Sequence, residues 1–238
     1  MRLDKFIADS TELTRSLAAK AVKQKRVLVN GERPKTASLQ VTEEDQITLD
    51  DEVLSLQSGL RYFVMNKPQG YICANRDSLN PLVFDLLTGV IQKQKLHTVG
   101  RLDIDTSGLL FITDDGQWSH QLTSPRRKIA KTYRAWLAED LRADAEDLLK
   151  TGIVLEDDPE PTLPAELERI NDQEVLITIY EGRYHQVKRM FAALGNAVVK
   201  LHRERIGGLT LAELNVNEGE FRDLTKEELE QLVQPSSH

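Results

Sequence analysis

Apolar residues recur at two different spacings along the chain, and these spacings predict where helices and strands lie. Near the N-terminus, apolar side chains three and four positions apart predict a short amphipathic helix that contains Leu3, Phe6 and Ile7. Thr14 is the predicted N-cap of a second helix, which continues to about Lys25. The chain is therefore expected to begin with two helices.

Strand signals follow these helices. The sequence "RVLVNGERP" predicts a short strand, a turn at Asn30-Gly31 and a return strand, which is the pattern of a β-hairpin. The alternating sequence "DQITLDD" predicts one more strand. Together these elements predict a separate helix-helix-hairpin module over residues 1–58, and "SLQSGL" at 55–60 is expected to be a linker.

Strands dominate the remainder, residues 61–238. The apolar run Leu109–Ile112 predicts a buried strand, and "QEVLITIYEG" predicts another. A helix is expected in "QVKRMFAALGN", and a terminal helix is expected to start after Thr225 as its N-cap. Strands and helices do not alternate regularly, so we predict an α+β fold with a central mixed or antiparallel sheet.

The positions of the charged residues say more about function than the net charge does. The net charge of −7 argues against a nucleic-acid partner, but Lys and Arg concentrate in three blocks, at 14–35, 116–138 and 183–205. Acidic residues concentrate elsewhere, at 139–174 and 212–230. Basic blocks with acidic regions remote from them are typical of an oriented polyanion-binding face, although solvated basic surfaces would give the same pattern.

Composition excludes several classes of protein. With 40% hydrophobic residues over 238 positions, the chain can bury a substantial core, and no apolar run is long enough for a membrane span. Cys73 is the single cysteine, so no internal disulfide forms, and the five histidines lack metal-ligand spacing. The N-terminus does not resemble a signal peptide. We expect a cytoplasmic protein with no metal, no cofactor and no membrane partner.

Two aspartates stand directly before the predicted buried strand. In "GRLDIDTSGLLFITDDG" at 100–116, Asp103 and Asp105 are two residues apart, which on a strand places them about 6.6 Å apart on one face. This spacing overlaps that of the acid/base pair of an inverting glycosidase, so a hydrolase remains one hypothesis. A turn role for Asp105, Asp114 and Asp115 is the other expectation.

Four segments in order carry a family resemblance: "NKPQGY" at 66–71, the 100–116 segment, "KTYRAWL" at 131–137 and "EGRYHQVKRMFAALGN" at 181–196. They resemble the motifs of the pseudouridine synthases of the RsuA/RluA superfamily, and residues 1–58 look like an S4-type RNA-binding domain. The resemblance implies a catalytic domain over 61–238 that isomerises a specific uridine of 16S rRNA without a cofactor. The expected partner is 16S rRNA or a small-subunit assembly intermediate, and we expect a monomer.

The same resemblance implies roles for individual residues. Asp103 is expected to be the catalytic aspartate, as nucleophile toward ribose C1′ or the uracil ring or as an acceptor of a ribose proton. Lys188 is expected to form an ion pair with it, a role that Arg189 could share. Tyr133 would lie against the target base, and Arg101 would fill the gap left by the flipped uridine or hold phosphate.

The basic blocks become candidate RNA contacts. We expect the N-terminal module to grip phosphate and the other residues to line the catalytic cleft; the full set is Arg15, Lys20, Lys23, Lys25, Arg26, Arg126, Arg127, Lys128, Arg203 and Arg205.

Three alternatives stay open at this point. S4-type modules also occur in RNA-binding and assembly factors that do no chemistry. A synthase of this superfamily could act on 23S rRNA. The Asp103 and Asp105 pair could hydrolyse a glycosidic bond, in which case free uracil or sugar would be released.

Overall fold

The computed structural model describes residues 1–56 and 59–233. The chain divides into two compact units. The first contains Met1–Leu60 and Leu87–Leu96, and the second contains Arg61–Leu86 and the chain from His97 onward. The predicted linker at 55–60 includes Gln57 and Ser58, which lie outside the described residues.

The first unit consists of two helices and a small sheet. Its elements are α1 (Leu3–Ser10), α2 (Arg15–Lys23), β1 (Val27–Val29), β2 (Ile47–Leu49) and β3 (Glu52–Leu54). Both predicted helices are present, and the predicted N-cap is confirmed because the Thr14 hydroxyl accepts a 3.3 Å hydrogen bond from the Leu17 backbone N–H. The apolar stripes of both helices pack on the sheet and form one core: Leu3, Phe6, Ile7, Ala18, Ala21, Val22, Val27, Val41 and Ile47.

The turn predicted at Asn30-Gly31 is present, because Val29 and Glu32 exchange backbone hydrogen bonds of 2.8 and 3.0 Å across it, but the predicted return strand does not continue beyond Glu32. β1 pairs antiparallel with β2, almost twenty residues later, and Val29 makes only an isolated bridge to Glu32. The Asn30 side chain explains the difference: it accepts a 2.8 Å hydrogen bond from the Gln46 N–H and donates a 2.7 Å bond to Asp45. Asn30 therefore lies in a closed two-residue turn and also fastens that turn to the segment that leads into β2.

All of the remaining described elements except one 3-10 turn belong to the second unit. The strands are β4 (Tyr62–Lys67), β5 (His97–Val99), β6 (Thr106–Thr113), β7 (Lys131–Leu137), β8 (Glu166–Asn171), β9 (Glu174–Ile179), β10 (Val198–Ile206), β11 (Leu209–Thr210) and β12 (Phe221–Asp223). The helices are α3 (Gly116–Thr123), α4 (Ala145–Thr151), α5 (Gln186–Ala193), α6 (Leu211–Leu214) and α7 (Lys226–Val233), with 3-10 turns at Val83–Leu86, Lys93–Lys95 and Pro125–Arg127. The turn at Lys93–Lys95 lies in the first unit.

One large sheet organises the second unit. Its strand order is β12-β4-β6-β10-β7-β9-β8, with β5 added beside β6 and β11 beside β10. β10 runs parallel to β6, whereas the other pairings are antiparallel. The predicted α+β class with a mixed sheet is confirmed. The N-cap of α7 is confirmed as well, because Thr225 Oγ1 accepts from the Glu228 N–H at 3.2 Å.

β6 lies in the interior of this sheet, and all eight of its residues are buried. The predicted strand Leu109–Ile112 is thus confirmed and extends in both directions. β6 starts at Thr106, immediately after the two aspartates of the 100–116 segment, so the loop that carries them emerges directly from the rigid centre of the fold. Within the described part of the chain, no helix is both long and apolar enough to cross a membrane.

Candidate active site

A cleft of about 860 Å³ opens in the second unit, next to the start of β6. It is lined by the segments 72–74, 99–106 and 182–188 and by alternate residues of β7 and β10. Because side chains on a strand alternate between faces, Tyr133 and Arg203 face this cleft, while their neighbours Arg134 and His202 line a groove on the opposite face of the sheet. The cleft therefore collects residues from three of the four motif segments.

Asp103 and Lys188 meet in this cleft. Lys188 lies on α5, and its Nζ is 3.0 Å from Asp103 Oδ2. The predicted ion pair is present, and the same Nζ also lies 2.7 Å from Asp105 Oδ1. The turn role expected for Asp105 is wrong, because its carboxylate points at Lys188 and not at the turn that follows. One cation thus holds two carboxylates.

The contact between Lys188 and Asp105 affects the protonation of both groups. Burial alone would raise the pKa of Asp105, but the hydrogen bond and charge of Lys188 outweigh it and lower that pKa. Burial alone would lower the pKa of Lys188, yet Asp105 and Asp103 raise it above its ordinary value. Lys188 therefore stays charged at neutral pH, and Asp105 stays ionised.

The turn role is confirmed for Asp115, whereas the Asp114 carboxylate forms an ion pair with Arg61. Asp115 caps α3, accepting from the backbone N–H groups of Gln117 and Trp118 at 2.9 and 3.0 Å. Asp114 accepts 2.8 Å hydrogen bonds from the backbone N–H and Nε of Arg61. Both carboxylates stabilise the segment that follows β6, away from the cleft.

His185 is a site residue that the sequence analysis missed. Its Nε2 lies 3.4 Å from Asp103 Oδ1, whereas Lys188 contacts the other carboxylate oxygen, Oδ2. Its backbone has φ of 47°, a left-handed conformation that is unusual for a residue other than glycine, at the residue preceding α5. The imidazole stacks on the ring of Tyr184, with centroids 3.8 Å apart and an interplanar angle of 19°. The only signal was its position within the "EGRYHQVKRM" segment.

Lys67 is the second residue that was missed. It is fully buried, and its Nζ donates to the backbone carbonyl oxygens of Pro68 at 3.1 Å, Asp103 at 3.0 Å and Thr106 at 2.7 Å. Burial lowers the pKa of this ammonium group. Lys67 belongs to the "NKPQGY" segment, but nothing in the spacing indicated that it would support the loop of Asp103.

Tyr133 lies at the floor of the cleft and is only 8% exposed. Arg203 Nη1 donates a 3.3 Å hydrogen bond to its hydroxyl, and Arg203 Nε donates to the Leu109 carbonyl at 2.8 Å. Arg203 itself is 2% exposed. It lines the cleft as predicted, but as a buried support beneath Tyr133 and not as a surface contact for RNA phosphate.

Arg101 and Arg189 differ in what they contact. Arg101 is exposed, lines the cleft, and makes no ion pair with Asp103 or Asp105. Arg189 turns away from Asp103, donating to the backbone carbonyl of Tyr184 at 3.2 Å and to that of Glu156. The expectation that Arg189 could share the role of Lys188 is therefore wrong, because the Arg189 guanidinium binds these carbonyl groups and forms no ion pair with Asp103.

The remaining basic residues lie outside the cleft. Arg126, Arg127 and Lys128 are exposed at the 3-10 turn that starts with Pro125, a residue of the cleft wall. Arg205, predicted to line the cleft, instead lines the groove on the opposite face and donates to the Gly207 carbonyl at 2.7 Å.

In the first unit the five predicted contacts divide into two groups. Arg15 and Arg26 pair with Asp4 and Asp50, respectively. Three exposed lysines make no ion pair with any described residue: Lys20, Lys23 and Lys25. Across residues 1–56 and 59–233 no group of three or more His, Cys, Asp or Glu side chains is placed to hold a metal ion.

Comparison with known families agrees with this architecture. Residues 61–193 match the family model of RNA pseudouridylate synthase, and residues 1–47 match that of the S4 domain. The first match includes most residues that line the cleft, among them Asp103, Tyr133 and Lys188. The chain belongs to the RNA pseudouridylate synthase family and carries an S4 domain at its N-terminus.

Individual relatives are similar over the full length. The chain is 50% identical to "Ribosomal small subunit pseudouridine synthase A" of Haemophilus influenzae, over 98% of this chain and 100% of that protein. The protein of the same name from Escherichia coli K12 is 47% identical, with the same coverage. A solved structure, "Crystal structure of pseudouridylate synthase", superposes with a TM-score of 0.70 at 49% identity and covers 98% of this chain and 100% of that one.

Proposed function

We propose that this protein isomerises one uridine of 16S rRNA to pseudouridine, with Asp103 as the reacting carboxylate. The observation that carries the proposal is the position of Asp103. Within a member of the RNA pseudouridylate synthase family, its carboxylate projects into a cleft between Lys188 and His185, above the floor formed by Tyr133.

The reaction is an isomerisation, so every atom is accounted for within the substrate and solvent. The N1–C1′ bond breaks, the uracil turns, and a C5–C1′ bond forms. The proton on C5 leaves to solvent, and N1 gains one. No redox change takes place, and no group is added.

The reaction needs an oriented carboxylate, a proton donor and a phosphate contact, and the cleft offers a side chain for each. Lys188 holds the Asp103 carboxylate in one orientation in the cleft, so that it meets the substrate without having to reorganise. The Tyr133 hydroxyl accepts from Arg203, which has no acceptor of its own, so the hydroxyl proton is free to be donated toward a carbonyl of the base. Arg101 is an exposed cation at the cleft and forms no ion pair with any residue that the structure describes, so it is available to contact phosphate. The base must leave its stack, because C1′ and C5 are inaccessible within a duplex.

The choice of substrate rests on the relatives and on the N-terminal module. Two proteins with about half their residues identical to this chain are named for the small ribosomal subunit. We therefore propose 16S rRNA or a small-subunit assembly intermediate as substrate, residues 1–58 as the RNA-gripping domain and residues 61–238 as the catalytic domain. We further propose that the protein acts as a monomer in the cytoplasm.

A glycosidase is the weaker alternative. An inverting enzyme needs one of its two carboxyl groups protonated as the general acid. Lys188 contacts both Asp103 and Asp105, and the pKa of Asp105 is lowered, so Asp105 is a poor proton donor at neutral pH. Asp103 therefore lacks the protonated partner that an inverting hydrolase needs.

The test uses 16S rRNA transcribed with tritium at C5 of uridine. We expect the wild-type protein to release tritium and to give a product of unchanged mass, and Asp103→Asn to lose at least 1,000-fold in rate while still binding the RNA. Asp105→Asn, the matched control, is expected to lose less than about 10-fold, since Lys188 retains Asp103. Release of free uracil, or equal loss in both variants, would favour a hydrolytic pair.

A further inference from the structure

We propose that Tyr184 and His185 form a stacking subsite for the nucleobase next to the reacting uridine. The proposal rests on the proposed function, since it takes Asp103 as the point at which the target base reacts. The ligand is an unpaired nucleobase of the same RNA strand, held at the mouth of the cleft while its neighbour enters.

The two rings form a platform with one face already covered. The Tyr184 ring lies parallel to the His185 imidazole, with centroids 3.8 Å apart and an interplanar angle of 19°. Tyr184 nevertheless remains 74% exposed, more than most large side chains of the second unit. Its other face is open to solvent, and aromatic faces of this kind stack on nucleobases of any sequence.

The platform stands beside the proposed reacting group. His185 Nε2 is 3.4 Å from Asp103 Oδ1, so the imidazole separates the tyrosine ring from the carboxylate. Both aromatic residues line the same cleft as Tyr133, which is 8% exposed at its floor. A base that reaches Asp103 must enter the cleft, whereas the next base along the strand stays outside, at the level of Tyr184.

The platform is fixed before RNA arrives. The Tyr184 carbonyl accepts a 3.2 Å hydrogen bond from Arg189, and Arg183 is held by Asp158 at 2.8 Å and by Glu181 at 3.2 Å. Little backbone freedom is lost when a base stacks on a ring that is already ordered, so more of the stacking free energy appears as affinity.

The neighbouring charges favour a nucleotide as the occupant. Arg101 is exposed in the same cleft and has no acidic partner among the described residues. A nucleotide offers a flat base for Tyr184 and a phosphate for such a cation, which an apolar peptide does not. The platform and Arg101 together suit a strand that passes the mouth of the cleft.

The test combines protein variants with altered RNA. Tyr184→Leu removes the aromatic face and keeps an apolar side chain, and Tyr184→Phe keeps the face without the hydroxyl. On the 16S rRNA that the wild type modifies, we expect Tyr184→Leu to lower kcat/KM by roughly 5- to 160-fold, because a stacked base contributes about 1–3 kcal/mol. Tyr184→Phe should stay within about 2-fold of wild type. The side chain is exposed, so thermal unfolding should be unchanged in both variants.

Abasic nucleotides placed on the 5′ or the 3′ side of the target uridine identify the stacked base. At one of the two positions the abasic RNA should slow the wild type by the same factor as Tyr184→Leu, and combining both changes should add nothing further. Equal rates for Tyr184→Leu and Tyr184→Phe, or fully additive effects at both positions, would overturn the subsite. If Asp103→Asn is inactive, those results overturn the subsite alone and leave the proposed function intact. If Asp103→Asn is active, the proposed function is overturned, and so is the subsite, which was placed relative to Asp103.

Discussion

Lys67 donates a 3.0 Å hydrogen bond from its buried Nζ to the backbone carbonyl oxygen of Asp103. The same ammonium group binds the carbonyls of Pro68 and Thr106, so it joins the end of β4 to both ends of the loop that precedes β6. The position of Asp103, the proposed reacting residue, therefore depends on a fully buried side chain.

Replacing Lys67 tests this dependence. Lys67→Met leaves three carbonyl oxygens without their donor in the interior, and each unsatisfied buried group costs about 1–3 kcal/mol. We expect the free energy of unfolding to fall by about 3 kcal/mol or more and the rate of pseudouridine formation to fall by at least 100-fold, measured by urea denaturation and tritium release. Lys226→Met, at an exposed position of α7, serves as the control and should change neither quantity. Wild-type activity in Lys67→Met would contradict the role.

Gly108 allows β6 and β10 to approach. It has φ of +111°, and a Cβ at this position would lie 2.3 Å from the carbonyl oxygen and 2.6 Å from the backbone nitrogen of Arg203. Both the clash with backbone and the positive φ are unfavourable for alanine, so Gly108→Ala is expected to lower the free energy of unfolding by about 3 kcal/mol or more. Gly116→Ala is the matched control, because nothing lies within 4 Å of its Cβ and the residue begins α3. Equal thermal unfolding temperatures for the two variants would contradict this account.

Lys131 gives the protein a pH-dependent stability. Its side chain lines the cleft, and burial, with the nearby charge of Arg203, lowers the pKa of its ammonium group to about 8 from the ordinary 10.5. Between these two values the unfolded chain binds the proton and the folded chain does not, so the free energy of unfolding rises with pH across that window. Below pH 8 the folded chain carries the unfavourable buried charge.

Lys131→Met removes this dependence. We expect the variant to be more stable than wild type at pH 7, by up to about 3 kcal/mol, and the difference to shrink as the pH rises from 8 toward 10.5. Urea denaturation of both proteins at several pH values measures it. A difference that stays constant over that window would show that the charge of Lys131 is not its cause.

The lysines of the first unit test the RNA-gripping role of the S4 domain. Lys20, Lys23 and Lys25 are exposed and unpaired among the described residues, whereas Arg15 and Arg26 already pair with acids. Changing the three lysines to Gln should reduce the slope of log K against log salt for 16S rRNA binding by about 2 to 3, since each phosphate contact contributes about 0.7 to 0.9. Changing the two arginines should reduce it less. An unchanged slope in the lysine variant would place the RNA contacts elsewhere.

Local signals sufficed for much of the fold. The helical spacing of Leu3, Phe6 and Ile7, the N-caps Thr14 and Thr225 and the apolar run of β6 each depend on a few neighbouring residues, and each prediction is confirmed. The turn at Asn30-Gly31 was predicted correctly, but the return strand was not, because β1 pairs with β2 and local turn chemistry does not show that Asn30 binds Asp45 and Gln46.

Site residues were predictable only where a motif marked them. The ion pair of Asp103 and Lys188 followed from the family motifs, and both residues meet in the cleft. Lys67 and His185 were missed because their contacts join segments far apart in the chain. The positions of Arg203 and Arg205 depend on which face of β10 each occupies and on the bulge between them, which the sequence does not reveal.

The most direct measurement of the central claim is a pseudouridine map of 16S and 23S rRNA from cells that lack this protein, complemented with either wild type or Asp103→Asn. The account predicts that one pseudouridine of 16S rRNA disappears, returns with the wild type and does not return with Asp103→Asn, although both proteins are present in equal amounts. No lost site, a site lost from 23S rRNA alone, or full restoration by Asp103→Asn would contradict it.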